Sequence, residues 1–225
     1  MQGKLIVIEG TDGSGKATQS KLLIEALNKK NISTEYVDFP QYGEKSAGLV
    51  ENYLNGKYGS ASEVSPKVAS IFYAVDRYDA SFKIRPWLND GKVVISNRYV
   101  SANLGHQTGK IKDQKERDEF VKWLEDLEYN LFGIPKPDLT ILLFMPCEIA
   151  QKLVDNKAAR AYIGGQKRDI HEADLQHLKD AEKAYLDLVD KKGWKLVECS
   201  ENGSPLPIEK IQEKVLLVVE EFLKN

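Results

Sequence analysis

Leu5-Ile-Val-Ile-Glu9-Gly10-Thr-Asp-Gly-Ser-Gly15-Lys16 is the stretch that decides the fold. The apolar run Leu5 to Ile8 reads as a strand covered on both faces. The glycines after it permit a tight turn. The chain then carries Leu22, Leu23, Ala26 and Leu27 at helical spacing between Lys16 and Lys30. A G-x-x-x-x-G-K loop in this strand-to-helix setting is a phosphate cradle. Its N–H groups turn inward as an anion nest, the helix adds its positive end, and Lys16 reaches the β and γ oxygens as a movable charge. Gly10, Thr11, Asp12, Gly13, Ser14, Gly15, Lys16, Ala17 and Thr18 are therefore the candidate contacts to a nucleoside triphosphate such as ATP. One position departs from the usual pattern. The residue after Lys16, normally a Ser or Thr that meets Mg²⁺, is Ala17. Thr18 lies about 100° further round the helix and is a poor substitute. The ion must depend on phosphate oxygens, water and carboxylates, which Mg²⁺ tolerates; its protein ligands stay unassigned.

Working outward, further strands are expected over Thr34–Phe39, Val93–Ile95, Leu139–Phe144 and Trp194–Val197. Helical spacing is expected from Pro66 to about Pro86, through Phe120, Leu124, Leu127 and Leu131, over Cys147–Leu153, from Leu175 to the Gly193 stop, and through Ile208, Ile211, Val215 and Phe222. Five strands alternating with helices predict an α/β three-layer sandwich: one domain over residues 1–225, with a five-stranded parallel sheet flanked by helices. The small, polar and basic segment 155–169, with Gly164-Gly165, reads as a short lid.

The chain's 225 residues can bury a core without staples. A formal net charge of -2 gives no basic excess to suggest a nucleic-acid or membrane partner. Cys147 and Cys199 lie far apart, with no metal or redox spacing. No apolar run approaches a membrane span or a secretory signal, so a cytoplasmic protein is expected.

Several weaker clusters stand near strand ends, where open α/β sheets place their ligands. Phe39-Pro-Gln-Tyr42 follows the second strand. Tyr73 and Arg77 share a helix face at i, i+4. Asn97-Arg-Tyr99, then Asn103 and His106, follow the third strand. Together with the glycine loop, Pro137-Asp138 and the lid, these clusters resemble the thymidylate kinase family over nearly the whole chain. The resemblance implies a P-loop nucleoside monophosphate kinase fold and Mg²⁺-dependent phosphoryl transfer from ATP to thymidine monophosphate. It also implies a homodimer formed through a helical face.

Residue by residue, the resemblance places Asp12 at the acceptor's 3′-hydroxyl. Phe39 and Pro40 form the wall of the acceptor site, with Tyr42 near its phosphate. Tyr73 stacks on the base and Arg77 donates to a base carbonyl. Arg98 holds the acceptor phosphate, while Asn103 and His106 border base and sugar. The loop offers no arginine, so the lid must supply the one that neutralises the transition state; Arg160 and Arg168 are the candidates, with Lys167 beside them. Asp169 and Glu172 stand near the acceptor or metal by the same resemblance, and also read as a helix capping box. His171 and His177 are read as surface residues.

Two departures from the family pattern stand out. Asn97 replaces the usual Asp, and Gln41 replaces a frequent Arg, which predicts a weaker hold on phosphate. Two rivals remain. A deoxynucleoside kinase on this scaffold would want a carboxylate base after the second strand, where the sequence shows none until Glu44. A nucleotide-dependent regulator without transferase activity would fit the two missing metal-side residues, Ala17 and Asn97.

Overall fold

A computed structural model describes residues 2–155 and 175–224. The lid candidates Arg160, Lys167, Arg168, Asp169 and Glu172, and also His171, lie outside the described residues.

Five parallel strands form the central sheet in the order β2-β3-β1-β4-β5: β1 Lys4–Glu9, β2 Thr34–Asp38, β3 Val93–Asn97, β4 Leu139–Phe144 and β5 Lys195–Glu198. Alternate side chains of β1 enter opposite layers, as the two-residue period requires. Ile6 and Ile8 pack with Leu23 and Leu27 of α1 (Lys16–Lys29) and with Ile211, Val215 and Val219 of α8 (Ile208–Lys224). Leu5 and Val7 pack on the other side. Their neighbours there are α3 (Pro66–Asn89) through Ala80 and Ile84, α4 (Val100–Thr108) through Leu104, α5 (Gln114–Glu125) through Phe120, and α7 (Leu175–Lys192) through Leu188. The three expected layers are present. A smaller cluster joins Val50, Tyr53 and Leu54 of α2 (Gly48–Leu54) with Val64 and Ala69, and Phe72 and Tyr73 of α3 pack against it.

The structure corrects several expectations. α3 runs past Pro86 to Asn89, because a proline in the last turn removes just one helical N–H donor. The apolar spacing from Phe120 to Leu131 is not one α-helix. α5 stops at Glu125, and a π-helical turn spans Asp126–Leu131, leaving Leu131 74% exposed and turning Glu128 inward. A short hairpin, β6 Ser200–Glu201 with β7 Ser204–Pro205, turns on Asn202-Gly203, both at positive φ. α6 is Cys147–Asp155, and both cysteines are buried and unpaired.

Candidate functional site

The phosphate loop stands at the carboxyl end of β1. Gly10, Gly13 and Gly15 all have positive φ, so side chains there would be strained. Gly13 also has no room: a Cβ would lie 2.3 Å from the Ala150 carbonyl oxygen of α6. Lys16 is buried, and its Nζ donates to the Thr11 carbonyl at 2.9 Å, within 3.8 Å of Asp12. Ala17 and Thr18 both face outward from the first turn of α1.

Arg98 follows β3 with φ 64, a backbone state uncommon outside glycine and frequent at functional sites. Its Nη2 is ion-paired with Asp12 and its Nη1 lies 3.5 Å from Glu9. Burial pushes the Asp12 carboxyl up, but Arg98 and Lys16 outweigh it and hold it well below the ordinary range. Burial likewise opposes the Arg98 charge, and Asp12 outweighs that, raising the guanidinium further. Glu9 is fully buried and accepts from the Gly10 N–H, the Ser101 hydroxyl at 2.7 Å and the Tyr185 hydroxyl at 3.0 Å. It therefore braces the loop from behind.

Beside the loop, a pocket brings together Asp12, Phe39, Pro40, Tyr42, Tyr73, Arg77, Arg98, Asn103 and His106. These are all the expected acceptor residues that fall within the described residues. The Phe39–Pro40 bond is cis. Arg77 is nearly sealed from solvent. Its Nε and Nη2 donate to the two Glu128 oxygens, each at 2.6 Å, and its Nη1 lies 3.4 Å from the Tyr99 carbonyl. This fork-on-fork pair fixes the plane of the guanidinium. Asn103 Nδ2 donates to the Ser70 carbonyl at 3.2 Å.

His106 Nε2 lies 3.3 Å from Arg98 Nη1. Arginine can only donate, so this nitrogen accepts and the proton sits on Nδ1. That Nδ1 faces His177 Nε2 at 3.4 Å, and the two rings stack at 5.5 Å. Burial, then Arg98, pulls the His106 pKa well down and keeps it neutral. His177 is thus buried and not a surface residue, because α7 packs directly on α4.

A second cleft shares Asp12, Phe39, Pro40, Tyr42 and Arg98 with this pocket and opens on Gly13, Lys16, Ala17, Thr18, Asp38 and Asn97. The two clefts are therefore continuous.

A family model described as Thymidylate kinase matches residues 8–215. The chain belongs to the thymidylate kinase family. It is 30% identical over 191 residues to a thymidylate kinase of Mycobacterium tuberculosis, covering 84% of this chain and 87% of that one. It is 28% identical over 218 residues to a probable thymidylate kinase of Methanosarcina acetivorans, covering 96% and 97%. The solved thymidylate kinase of Candida albicans shares the fold with a TM-score of 0.72 at 22% identity, over 98% of this chain and 92% of that one.

Several site residues escaped the sequence reading. Glu128 had no signal, since its partner lies 51 positions away. Tyr185 reads only as one more apolar position on α7. Gln41 is held by α3 itself. It is buried and turned onto α3, where its Nε2 and backbone N–H donate to Asp76 at 3.1 and 2.9 Å and its Oε1 accepts from Lys83. No carboxylate follows β2 until Glu44, as expected, but one closes the strand itself. Asp38, its last residue, reaches the second cleft.

Proposed function

We propose that this member of the thymidylate kinase family transfers the γ-phosphoryl group of ATP to thymidine 5′-monophosphate, giving the diphosphate on the route to dTTP. The observation that carries the reading is the continuity of the phosphate loop with a pocket holding an aromatic wall, the buried Arg77 and the partly exposed Arg98. Phosphoryl transfer needs alignment and charge neutralisation more than covalent chemistry, and a phosphate acceptor is already ionised, so no general base is required.

In this reading the triphosphate lies along Gly10 to Thr18. Lys16 leaves the Thr11 carbonyl for the β and γ oxygens. The acceptor base stacks on Tyr73 against Phe39 and Pro40, and Arg77 donates to a base carbonyl through the edge that Glu128 leaves free. Arg98 takes the acceptor phosphate, with Tyr42 beside it, and Asp12 turns to the sugar 3′-hydroxyl. Asn103 and the neutral His106 border the sugar. Arg160 and Arg168 would add transition-state charge, and the family resemblance assigns Asp169 and Glu172 to the acceptor or metal.

Magnesium supplies charge neutralisation of the bound triphosphate. Ala17 offers it nothing. The Asp38 carboxylate and the Asn97 amide oxygen at the same cleft are hard oxygen donors suited to it. The protein acts as a homodimer in this reading. Ile71, Tyr78 and Phe82 form an exposed stripe on α3, 41%, 41% and 62% accessible, that a second copy would cover. The two unpaired thiols fit a cytoplasmic setting. Among the described residues no helix is long and apolar enough to cross a membrane.

Asp38 gives the deoxynucleoside kinase reading a carboxylate, so the test must include it. ADP release is followed with ATP, Mg²⁺ and each nucleoside monophosphate, and with thymidine. Turnover is expected with thymidine monophosphate and lost in Arg98→Ala and Lys16→Ala. Turnover with thymidine alone would favour the rival kinase.

A further inference from the structure

Two positions that could hold a cation carry no charge here: Ala17 on α1 and Asn97 at the end of β3. A carboxylate stands one strand further out. The β2–β3 register pairs Asp38 with Asn97, and Asn97 Nδ2 donates to Asp38 Oδ1 at 2.8 Å. A carboxylate accepts, so this bond sets which way the amide faces. The Asn97 nitrogen turns to Asp38, and its carbonyl oxygen is left for another partner.

That oxygen is buried and has no hydrogen-bond partner, on a residue only 7% exposed. Buried acceptors are nearly always satisfied, so this oxygen, beside a cleft, suits a donor water or an ion's water shell. The Tyr36 hydroxyl donates to the second oxygen of Asp38 at 3.2 Å, so the carboxylate is held from both sides. Asp38 and Asn97 both line the cleft that opens on Lys16, Ala17 and Thr18. A carboxylate and a carbonyl oxygen together repel a polyanion and attract a hard cation.

We propose that Asp38 and Asn97 form the protein half of the divalent-cation site, holding through its water shell the ion that accompanies the triphosphate. The inference rests on the loop binding a triphosphate, as proposed above. The charge that the family pattern puts on β3 is carried here by β2 and linked to the cleft through Asn97. Mg²⁺ keeps several waters, which suits an outer contact of this kind.

The test is Mn²⁺ binding, read by electron paramagnetic resonance, to the protein loaded with a non-hydrolysable ATP analogue. Analogue affinity in EDTA is measured alongside by calorimetry. Asp38→Asn keeps shape and removes charge. It is expected to weaken Mn²⁺ binding roughly tenfold or more, the usual loss when the support of a metal site is removed, with analogue affinity in EDTA unchanged. Asp38→Asn combined with Asn97→Asp returns the charge to β3 and is expected to recover most of the Mn²⁺ affinity. Asn97→Asp alone sets two carboxylates face to face, and its melting temperature is expected to fall in EDTA and recover with Mg²⁺ and analogue. Unchanged Mn²⁺ affinity in a folded Asp38→Asn protein would overturn the proposal and leave Asp38 as a brace or a base. An equal loss of analogue affinity in EDTA would overturn it too, by showing that the pair shapes the loop. Failure of the unaltered protein to bind the analogue would instead refute the triphosphate reading, and this proposal with it.

Discussion

Removing the Glu128 carboxylate tests how this protein holds its acceptor pocket. Arg77 and Glu128 are 1% and 0% exposed and share two bonds of 2.6 Å. Burial works against the arginine charge, and Glu128 outweighs it, raising the guanidinium above its ordinary range. Glu128→Ala leaves a buried cation without its partner, a change that costs about 3–5 kcal/mol. In a chain of this length that lowers the melting temperature by roughly 10 °C. The double replacement Arg77→Met with Glu128→Leu removes both charges and fills the space, and is expected to return stability to within about 1 kcal/mol. It cannot restore the donor to the base. Loss of one charged hydrogen bond to the acceptor is worth about 1.5–3 kcal/mol, so its KM for thymidine monophosphate rises roughly 10- to 100-fold. The KM for ATP stays unchanged. Urea unfolding and steady-state kinetics on the three proteins decide it. A single variant as stable as the parent, or a double variant with normal acceptor KM, would refute the reasoning.

Three further outcomes are expected. Burial lowers Lys110 to a pKa of about 8, with its Nζ 2.9 Å from the Tyr53 hydroxyl. Its folded pKa lies below the unfolded one, so the unfolded chain binds more protons between these values. This group's cost, at most about 3 kcal/mol, is fully present below pH 8 and relieved as pH rises toward 10; Lys110→Met should flatten that part of the stability profile. Gly105→Ala places a Cβ 2.3 Å from the Tyr185 ring. It should cost about 1–3 kcal/mol of stability and lower kcat by moving the hydroxyl that braces Glu9, both read on one purified variant. Light scattering should show the parent as the proposed homodimer and Phe82→Glu as a monomer; a dimeric Phe82→Glu would place the interface away from α3, and a monomeric parent would refute the dimer.

Much of this architecture was legible in the sequence because it follows from local rules. Leu5 to Ile8 is apolar on both faces, and glycines follow where the backbone needs positive φ, so strand, loop and helix could be read directly. The clusters at Phe39, Tyr73, Arg77 and Arg98 became one pocket only through the strand order, which carries β2 and β3 to the same edge. What was missed depends on contacts across the chain. The leucines at 127 and 131 keep helical spacing, so nothing local announces the π-helical turn that brings Glu128 to Arg77. Asp38 is one charged residue at a strand end until the β2–β3 register sets it against Asn97. His177 reads as polar surface until α7 packs on α4 and stacks it on His106. The Asn202-Gly203 hairpin did carry a local signal, the dipeptide that suits paired positive φ values.

The most direct measurement follows the γ-phosphoryl group itself. ATP labelled at that position is incubated with the protein, Mg²⁺ and thymidine monophosphate, and the products are separated. The account predicts label in thymidine diphosphate, dependent on Arg98 and Lys16. Label appearing only as inorganic phosphate, at a rate indifferent to the acceptor, would contradict it and leave a nucleotide-hydrolysing protein on the same loop.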